Sequence, residues 1–269
     1  MGYIPGMLAA VVQQRELFAS MLRREVRARY KGSVLGVVWS LVTPLVMMGA
    51  YTLVFSLVFT AAPFAHYPAF LLTGLSLWVF FAGGLEAGTS SLVGNANLVK
   101  KVAFERSIVP LSSTMSHLVT FAAMVIVLVP VNLAIQPDTR TTMILLPVLI
   151  VCLIVMTAGL ALALSALNVY FRDVQHILGA LLLPWFFLTP IFYSLDQLPA
   201  GVTGNDVAIG ILRWGNPLTP LVESVHDVAF FGEWPSAGHL IYVAVATVAC
   251  AGIGILTFRR LEPEMAVEL

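Results

Sequence analysis

Residues 143–167, MILLPVLIVCLIVMTAGLALALSAL, run for 25 positions without a charged side chain. At about 1.5 Å of rise per residue, a helix of that length crosses the roughly 30 Å hydrocarbon layer of a membrane. In water the same helix would be apolar on every side, with no face left for solvent. Five further segments share this character: 34–59, 70–93, 108–135, 177–192 and 239–258. The fifth in chain order, 177–192, is the shortest and carries Pro184 and Pro190. Across all six the only Asp, Glu, Lys or Arg is Glu86. The composition agrees: 59% of the 269 residues are hydrophobic and 10% are charged, against about 25% charged in a soluble domain. The predicted fold is an all-α integral membrane protein of six transmembrane helices, built as one domain over 1–269. An N-terminal interfacial helix (1–33) precedes the six-span bundle (34–258), and a tail (259–269) follows it.

Cationic side chains accumulate on the cytoplasmic side of a membrane. With six spans and a cytoplasmic N-terminus, twelve of the 14 Lys and Arg residues fall inside, and only Arg140 and Arg213 fall outside. Both termini are therefore expected in the cytoplasm. No cleavable signal peptide is expected, because the first thirty residues are amphipathic and basic and hold no apolar core before a small-residue cleavage site. Within them, Leu8, Val11, Phe18, Leu22, Val26 and Tyr30 share one arc of a helical wheel. Arg23, Arg24 and Arg27 lie mostly off the arc, while Arg15 and Arg29 intrude on it. This pattern predicts a helix lying on the inner leaflet with its arginines among lipid head groups, or one that anchors the topology by charge alone.

On the outer side, 194–238 is long for a connection. Its apolar runs are broken by Gly and Pro, and each is too short to cross. Such pieces suit re-entrant half-helices, packed on protein or lining a cavity.

Several chemistries find no support. A net charge of zero gives nucleic acid nothing to bind. No G-x-x-x-x-G-K-[ST] phosphate loop, zinc spacing or G-x-S-x-G elbow occurs. Cys152 and Cys250 both lie in apolar runs and read as buried thiols. One carboxylate, Glu86, is too little for an ion-coupling chain. Among small residues, it reads as an acceptor for a neighbouring helix or as a group in water near the cytoplasmic half; His117, alone in its span, reads as a packing residue. Uphill transport by such a chain needs energy from another subunit pressing on a cytoplasmic surface. The compact charged loop 95–110, NANLVKKVAFERSIVP, is the best candidate.

The stretch RREVRARYKGSVLGVVWSLVTPL at 23–45 resembles the entry to the first span in permeases of type-2 ATP-binding-cassette exporters. The similarity is greatest to the polysaccharide branch, which moves O-antigen, capsule, teichoic acid and galactan. NANLVKKVAFERSIVPLSS is similar to that family's first coupling loop, although Glu105 stands where many members have Pro. LNVYFRDVQHIL, FFLTPIFYSLDQLP, NPLTPLVESVHDVAFFG and FRRLEPEMAVEL follow in the family's order. The resemblance implies a homodimer in the bacterial cytoplasmic membrane, joined to two separate ATPases that hold the ATP and magnesium. This chain itself would be non-catalytic and carry no cofactor. It also implies a lipid-linked glycan substrate, a short helix over 97–106 seated in the ATPase, and a smaller contact over 170–176. The implied coupling residues are Asn97, Leu98, Lys100, Lys101, Val102, Phe104, Glu105 and Arg106, with Arg172 and Asp173 in the smaller contact.

Neighbouring lysines on a helix lie about 100° apart, so Lys100 and Lys101 cannot both face one partner squarely. Leu98 and Val102, at i and i+4, with Phe104 or Glu105, offer an apolar docking face instead. Sugar rings pack their C–H faces on aromatic rings. Tyr51, Phe55 and Phe59 recur every four residues on the first span, and Trp78, Phe187 and Tyr193 add to a candidate channel lining. The basic cluster Arg23, Arg24, Arg27, Arg29 and Lys31 could attract the pyrophosphate of a lipid carrier or anionic bulk lipid, since the planar guanidinium fork suits phosphate. Alternatives are a type-2 permease for a drug or lipid, and a membrane-embedded glycosyl- or acyltransferase.

Overall fold

The computed structural model describes residues 13–33, 36–54, 65–101, 104–195 and 206–269, and every regular element among them is helical. Helix α1 (Arg15–Tyr30) precedes a 3-10 turn (Gly36–Val38) that runs into α2 (Trp39–Leu53). The long α3 (Tyr67–Gly94) is followed by the short α4 (Ala96–Lys101). Then come α5 (Ile108–Met115), α6 (Leu118–Ile135), α7 (Thr139–Thr142) and α8 (Leu146–Tyr170). The chain continues through α9 (Val174–Leu188), α10 (Asp206–Trp214), α11 (Thr219–His226), α12 (Ala237–Leu261) and α13 (Met265–Glu268).

Among the described residues, four helical stretches are long and apolar enough to cross a membrane: Tyr67–Gly94, Ile108–Ile135, Thr139–Tyr170 and Ala237–Leu261. Two shorter apolar helices, Leu41–Leu53 and Val174–Leu188, fall on the first and fifth expected segments. The shortness of α9 has a local cause. A residue before proline is pushed out of the helical region, and Thr189, ahead of Pro190, is extended at φ −97° and ψ 133°. The third segment is not one uninterrupted helix, because Ser116 and His117 form a turn between α5 and α6. Hydroxyls that bond back onto their own helix bend it. Here Ser112 Oγ donates to the Val109 carbonyl at 3.0 Å and Ser116 Oγ to the Ser113 carbonyl at 2.7 Å.

Helix α3 is the axis of the bundle. Two-thirds (67%) of its most apolar stretch is buried, against 22–33% for the other three long stretches. A central core gathers Phe80, Phe81 and Leu85 of α3 with Leu153 and Met156 of α8, Leu221 and Val225 of α11, and Val243 of α12. A second core, at the end that carries the basic loop, joins Met21, Leu92, Val99, Ile108, Val169, Phe258 and Met265. A third, at the opposite end, joins Tyr67, Phe70, Leu75, Phe186, Ile191 and Phe230.

Helices α8 and α12 make the most extensive pairing in the bundle. Glycine at the crossing makes this possible: a Cβ on Gly159 would meet the Cys250 carbonyl oxygen at 2.5 Å, and one on Gly254 would meet the Gly159 backbone. Small residues let helix backbones approach where lipid supplies no hydrophobic drive.

Neither α10 nor α11 is long enough to span. Helix α11 is buried along its length, packed on α3, α8 and α12. Its entry is fixed by Asn216, whose Oδ1 accepts from Trp185 Nε1 at 2.9 Å and from the Leu218 amide at 3.0 Å, while its Nδ2 donates to Thr189 Oγ1 at 2.9 Å. A π-helical turn (Asp227–Phe231) continues α11 and ends at Gly232, where φ is +73°.

Candidate functional site

The basic loop is built on the second core. Asn95 closes α3, its Nδ2 donating to the Ser91 carbonyl at 2.9 Å. Helix α4 then turns Val99 inward, 3% exposed, and leaves Asn97, Lys100 and Lys101 exposed. Leu98 and Phe104 are partly buried and pack on the same core. Arg106 also points inward, donating to the Glu262 carbonyl at 2.5 Å. Glu105 accepts from Ser107 Oγ at 3.4 Å.

Two sequence expectations change here. The helix expected over 97–106 is Ala96–Lys101, with a bend and turn at 104–107. Leu98 and Phe104, expected to face a partner, pack on the protein's own core. The outward face of α4 is therefore polar and basic. Val102 lies outside the described residues, and Val99, the buried anchor, carried no distinguishing signal in the sequence.

A second exposed turn lies nearby. Arg172 and Asp173 sit between α8 and α9, both exposed. Asn168 sets this turn: its Nδ2 donates to the Thr89 carbonyl at 3.1 Å and its Oδ1 accepts from the Gln175 amide at 3.2 Å. Tyr170, at the end of α8, donates its hydroxyl to the Leu261 carbonyl at 2.7 Å.

Helix α1 does not give its whole apolar side to lipid. Leu17, Phe18 and Met21 pack into the second core. The basic cluster splits accordingly. Arg24 bonds Asn95 Oδ1 at 2.5 Å and pairs with Glu25 at 3.2 Å. Arg29 donates to Ser116 Oγ at 2.9 Å, at the break between α5 and α6, and Tyr30 pairs its hydroxyl with Thr120 at 3.3 Å. Arg23, Arg27 and Lys31, four residues apart, stand exposed on the other side.

A groove of about 370 Å³ runs between α2, α3 and α9. Its floor is one face of α3: Leu75, Trp78, Val79, Ala82, Gly83 and Glu86, a strip about 16 Å long at 1.5 Å per residue. Met47 and Tyr51 form one wall, and Gly179, Leu182, Leu183 and Phe186 the other. The Tyr51 ring lies 5.7 Å from Phe186 and stacks on Phe192 at 6.5 Å, while Trp78 lies 5.4 Å from Phe186. Tyr51 and Trp78 thus line one surface. Phe187, expected beside them, is 49% exposed and packs edge-on against Phe186, which takes the lining position. Tyr193 lines a different cavity, of about 250 Å³, with Phe70, Glu223, His226 and His239. Glu223 there pairs with Arg213 at 3.2 Å. Phe55 and Phe59 lie outside the described residues. Glu86 is exposed and lines the groove at the end of the strip towards α4, and no described side chain donates to it, so of the two roles expected of it the bond from a neighbouring helix is not formed among the described residues.

Among the described residues the protein is a helical bundle with four helices long and apolar enough to cross a membrane, an aromatic groove beside its buried axis and a polar, basic face at one end, which is the make-up of an integral membrane protein. The chain belongs to the ABC-2 type transporter family, whose profile matches residues 16–230. It is 30% identical over 252 residues to the O-antigen export system permease protein RfbA of Myxococcus xanthus, covering 93% of this chain and 95% of that one. It is 31% identical over 205 residues to the protein of the same name from Klebsiella pneumoniae, covering 74% of this chain and 78% of that one. The polysialic acid transport protein KpsM of Escherichia coli is 23% identical over 261 residues, covering 94% of this chain and 96% of KpsM.

Proposed function

We propose that this protein is the membrane-spanning subunit of an ATP-driven exporter that carries a lipid-linked polysaccharide across the bacterial cytoplasmic membrane. The similarity that runs nearly end to end to a protein named as an O-antigen export permease carries this reading. The groove supports it, since Tyr51, Trp78 and Phe186 offer ring faces to sugar and Glu86 offers an acceptor to hydroxyls. The subunit works as a homodimer with two copies of a separate ATPase, where ATP and magnesium bind. It has six spans, counting Leu41–Leu53 and Val174–Leu188, with both termini in the cytoplasm and α10 and α11 dipping into the outer leaflet as half-helices; the cationic bias of the sequence, twelve of 14 Lys and Arg on that side, supports this orientation. The ATPase docks on Asn97, Lys100 and Lys101, with Arg172 and Asp173 as the smaller contact. Arg23, Arg27 and Lys31 attract the phosphates of the carrier lipid.

The test is removal of the protein from its bacterium, with glycan analysis of the surface and of the membrane lipids. Loss of a surface polysaccharide with build-up of its lipid-linked form inside is expected, together with co-isolation of an ATPase on the tagged permease. An unchanged surface glycan overturns the reading.

A further inference from the structure

Two loops that are distant in sequence end on one helix terminus. The last carbonyls of an α-helix have no partner within it and carry the negative end of its dipole. At the end of α12, side chains from elsewhere take them. Tyr170 donates to the Leu261 carbonyl at 2.7 Å, and the Arg106 guanidinium donates to the Glu262 carbonyl at 2.5 Å. Tyr170 stands two residues before Arg172, and Arg106 ends the loop that begins with α4. Beyond α12 the chain doubles back. Met265 is fully buried, and Leu269 packs on the core that also holds Leu98, Val99, Phe104 and Tyr170.

We propose that residues 258–269 are a cross-brace that makes the two ATPase-docking loops one rigid body with α12; this rests on the reading of those loops as the docking surface. Arg106 and Tyr170 are positioning residues, and Met265 is the apolar pin beneath them. The polar ties come one from each loop and converge on consecutive carbonyls. A displacement imposed on α4 is therefore passed to the turn at Arg172 and to the last long helix together. Without the ties each loop follows its own ATPase contact, and hydrolysis is no longer converted into movement of the spans. Either bond alone is small against the packing of the long helices, so its removal leaves a folded permease.

The test uses the permease with its ATPase, reconstituted in lipid vesicles. Three quantities are read: ATPase retained on the permease, ATP hydrolysed, and glycan moved per ATP. The double variant Arg106→Gln with Tyr170→Phe is expected to retain ATPase normally while glycan moved per ATP falls at least about fivefold, a usual size for coupling between sites. Arg106→Lys recovers most of the loss from Arg106→Gln, because an ammonium also donates to the carbonyl. A short bismaleimide joining cysteines in Arg106→Cys with Glu262→Cys, in a background of Cys152→Ala and Cys250→Ala, raises glycan moved per ATP above that of the unlinked protein. The brace is overturned if the double variant keeps its yield per ATP, or if it loses ATPase binding in proportion to transport, as a docking residue would. A variant at Lys100 and Lys101 separates the readings. If that variant retains the ATPase normally, the docking face itself is wrong and the brace falls with it.

Discussion

Gly254 of α12 rests against the backbone of Gly159 in α8, closer than any side chain allows. Two residues away on the same helix, Gly252 has open space around it. Gly254→Leu is expected to force α8 and α12 apart, at a cost of about 1–3 kcal/mol or more, and Gly252→Ala is expected to be tolerated. Thermal melts of the detergent-purified protein check the contrast. Equal melting temperatures for the two variants would contradict the close crossing.

Asn216 uses its oxygen and nitrogen on three partners between the end of α9 and the start of α11. Asn216→Leu leaves Trp185 Nε1 and the Leu218 amide without their acceptor in a buried place, which costs about 1–3 kcal/mol per unsatisfied group. A lowered melting temperature, with proteolysis appearing between α9 and α11, is the expected result.

The outward face of α4 is polar, and this sets the expectation for docking. Lys100→Glu with Lys101→Glu should weaken retention of the ATPase while the permease inserts normally. Val99→Asp, by contrast, places a charge in a core position only 3% exposed and should reduce the amount of folded protein. Co-isolation from membranes, normalised to permease, separates the two effects.

In the groove, Trp78→Ala and Tyr51→Ala should slow export by about tenfold if each ring contributes an aromatic contact of ~1 kcal/mol or somewhat more. Phe187→Ala, at a ring beside the groove and not in its lining, should leave export near normal. Surface glycan measured against permease abundance decides it.

Glu262 supplies a pH dependence. Burial, with Glu105 adding, pushes its carboxyl above the usual range, and Arg106 and Arg259 oppose the shift only in part. The fold therefore takes up a proton at a higher pH than the unfolded chain does. The charged form disfavours the fold above the raised value, and that penalty disappears as pH falls towards the ordinary carboxylate value. Glu262→Gln should raise the melting temperature at neutral pH, and the gain should vanish in mildly acidic buffer. The Arg106 bond survives, because its acceptor is the backbone carbonyl.

The long apolar runs made the membrane character and most helix positions legible, because a 25-residue uncharged run has few other uses. The charged loop was legible as a surface for the same reason: charge is scarce elsewhere. The orientation of individual loop residues was not. A helix of six residues is too short for periodicity to fix which side faces inward, so Val99 and Leu98 could not be ranked. Phe186 and Phe187 are adjacent, and a single step of helical phase decides which lines the groove. The bonds from Arg106 and Tyr170 to the end of α12 join segments far apart in the chain, and no local pattern announces such partners. The break at Ser116 had a cue in its cluster of hydroxyl residues, whose back-bonding bends the helix.

The placement of Phe258 and Met265 beneath Val99 and Ile108 also orders events in time. Protein chains are made from the N-terminus, so the basic loop leaves the ribosome long before the residues that support it from below. Until residues 258–269 are made, α4 has no complete floor to rest on. A polypeptide halted in its last helix would carry every basic residue of that loop without the packing of Met265 and Leu269 on its core. The support of the loop thus comes from a segment synthesised well after it, as with Arg106 and the Glu262 carbonyl, 156 positions apart.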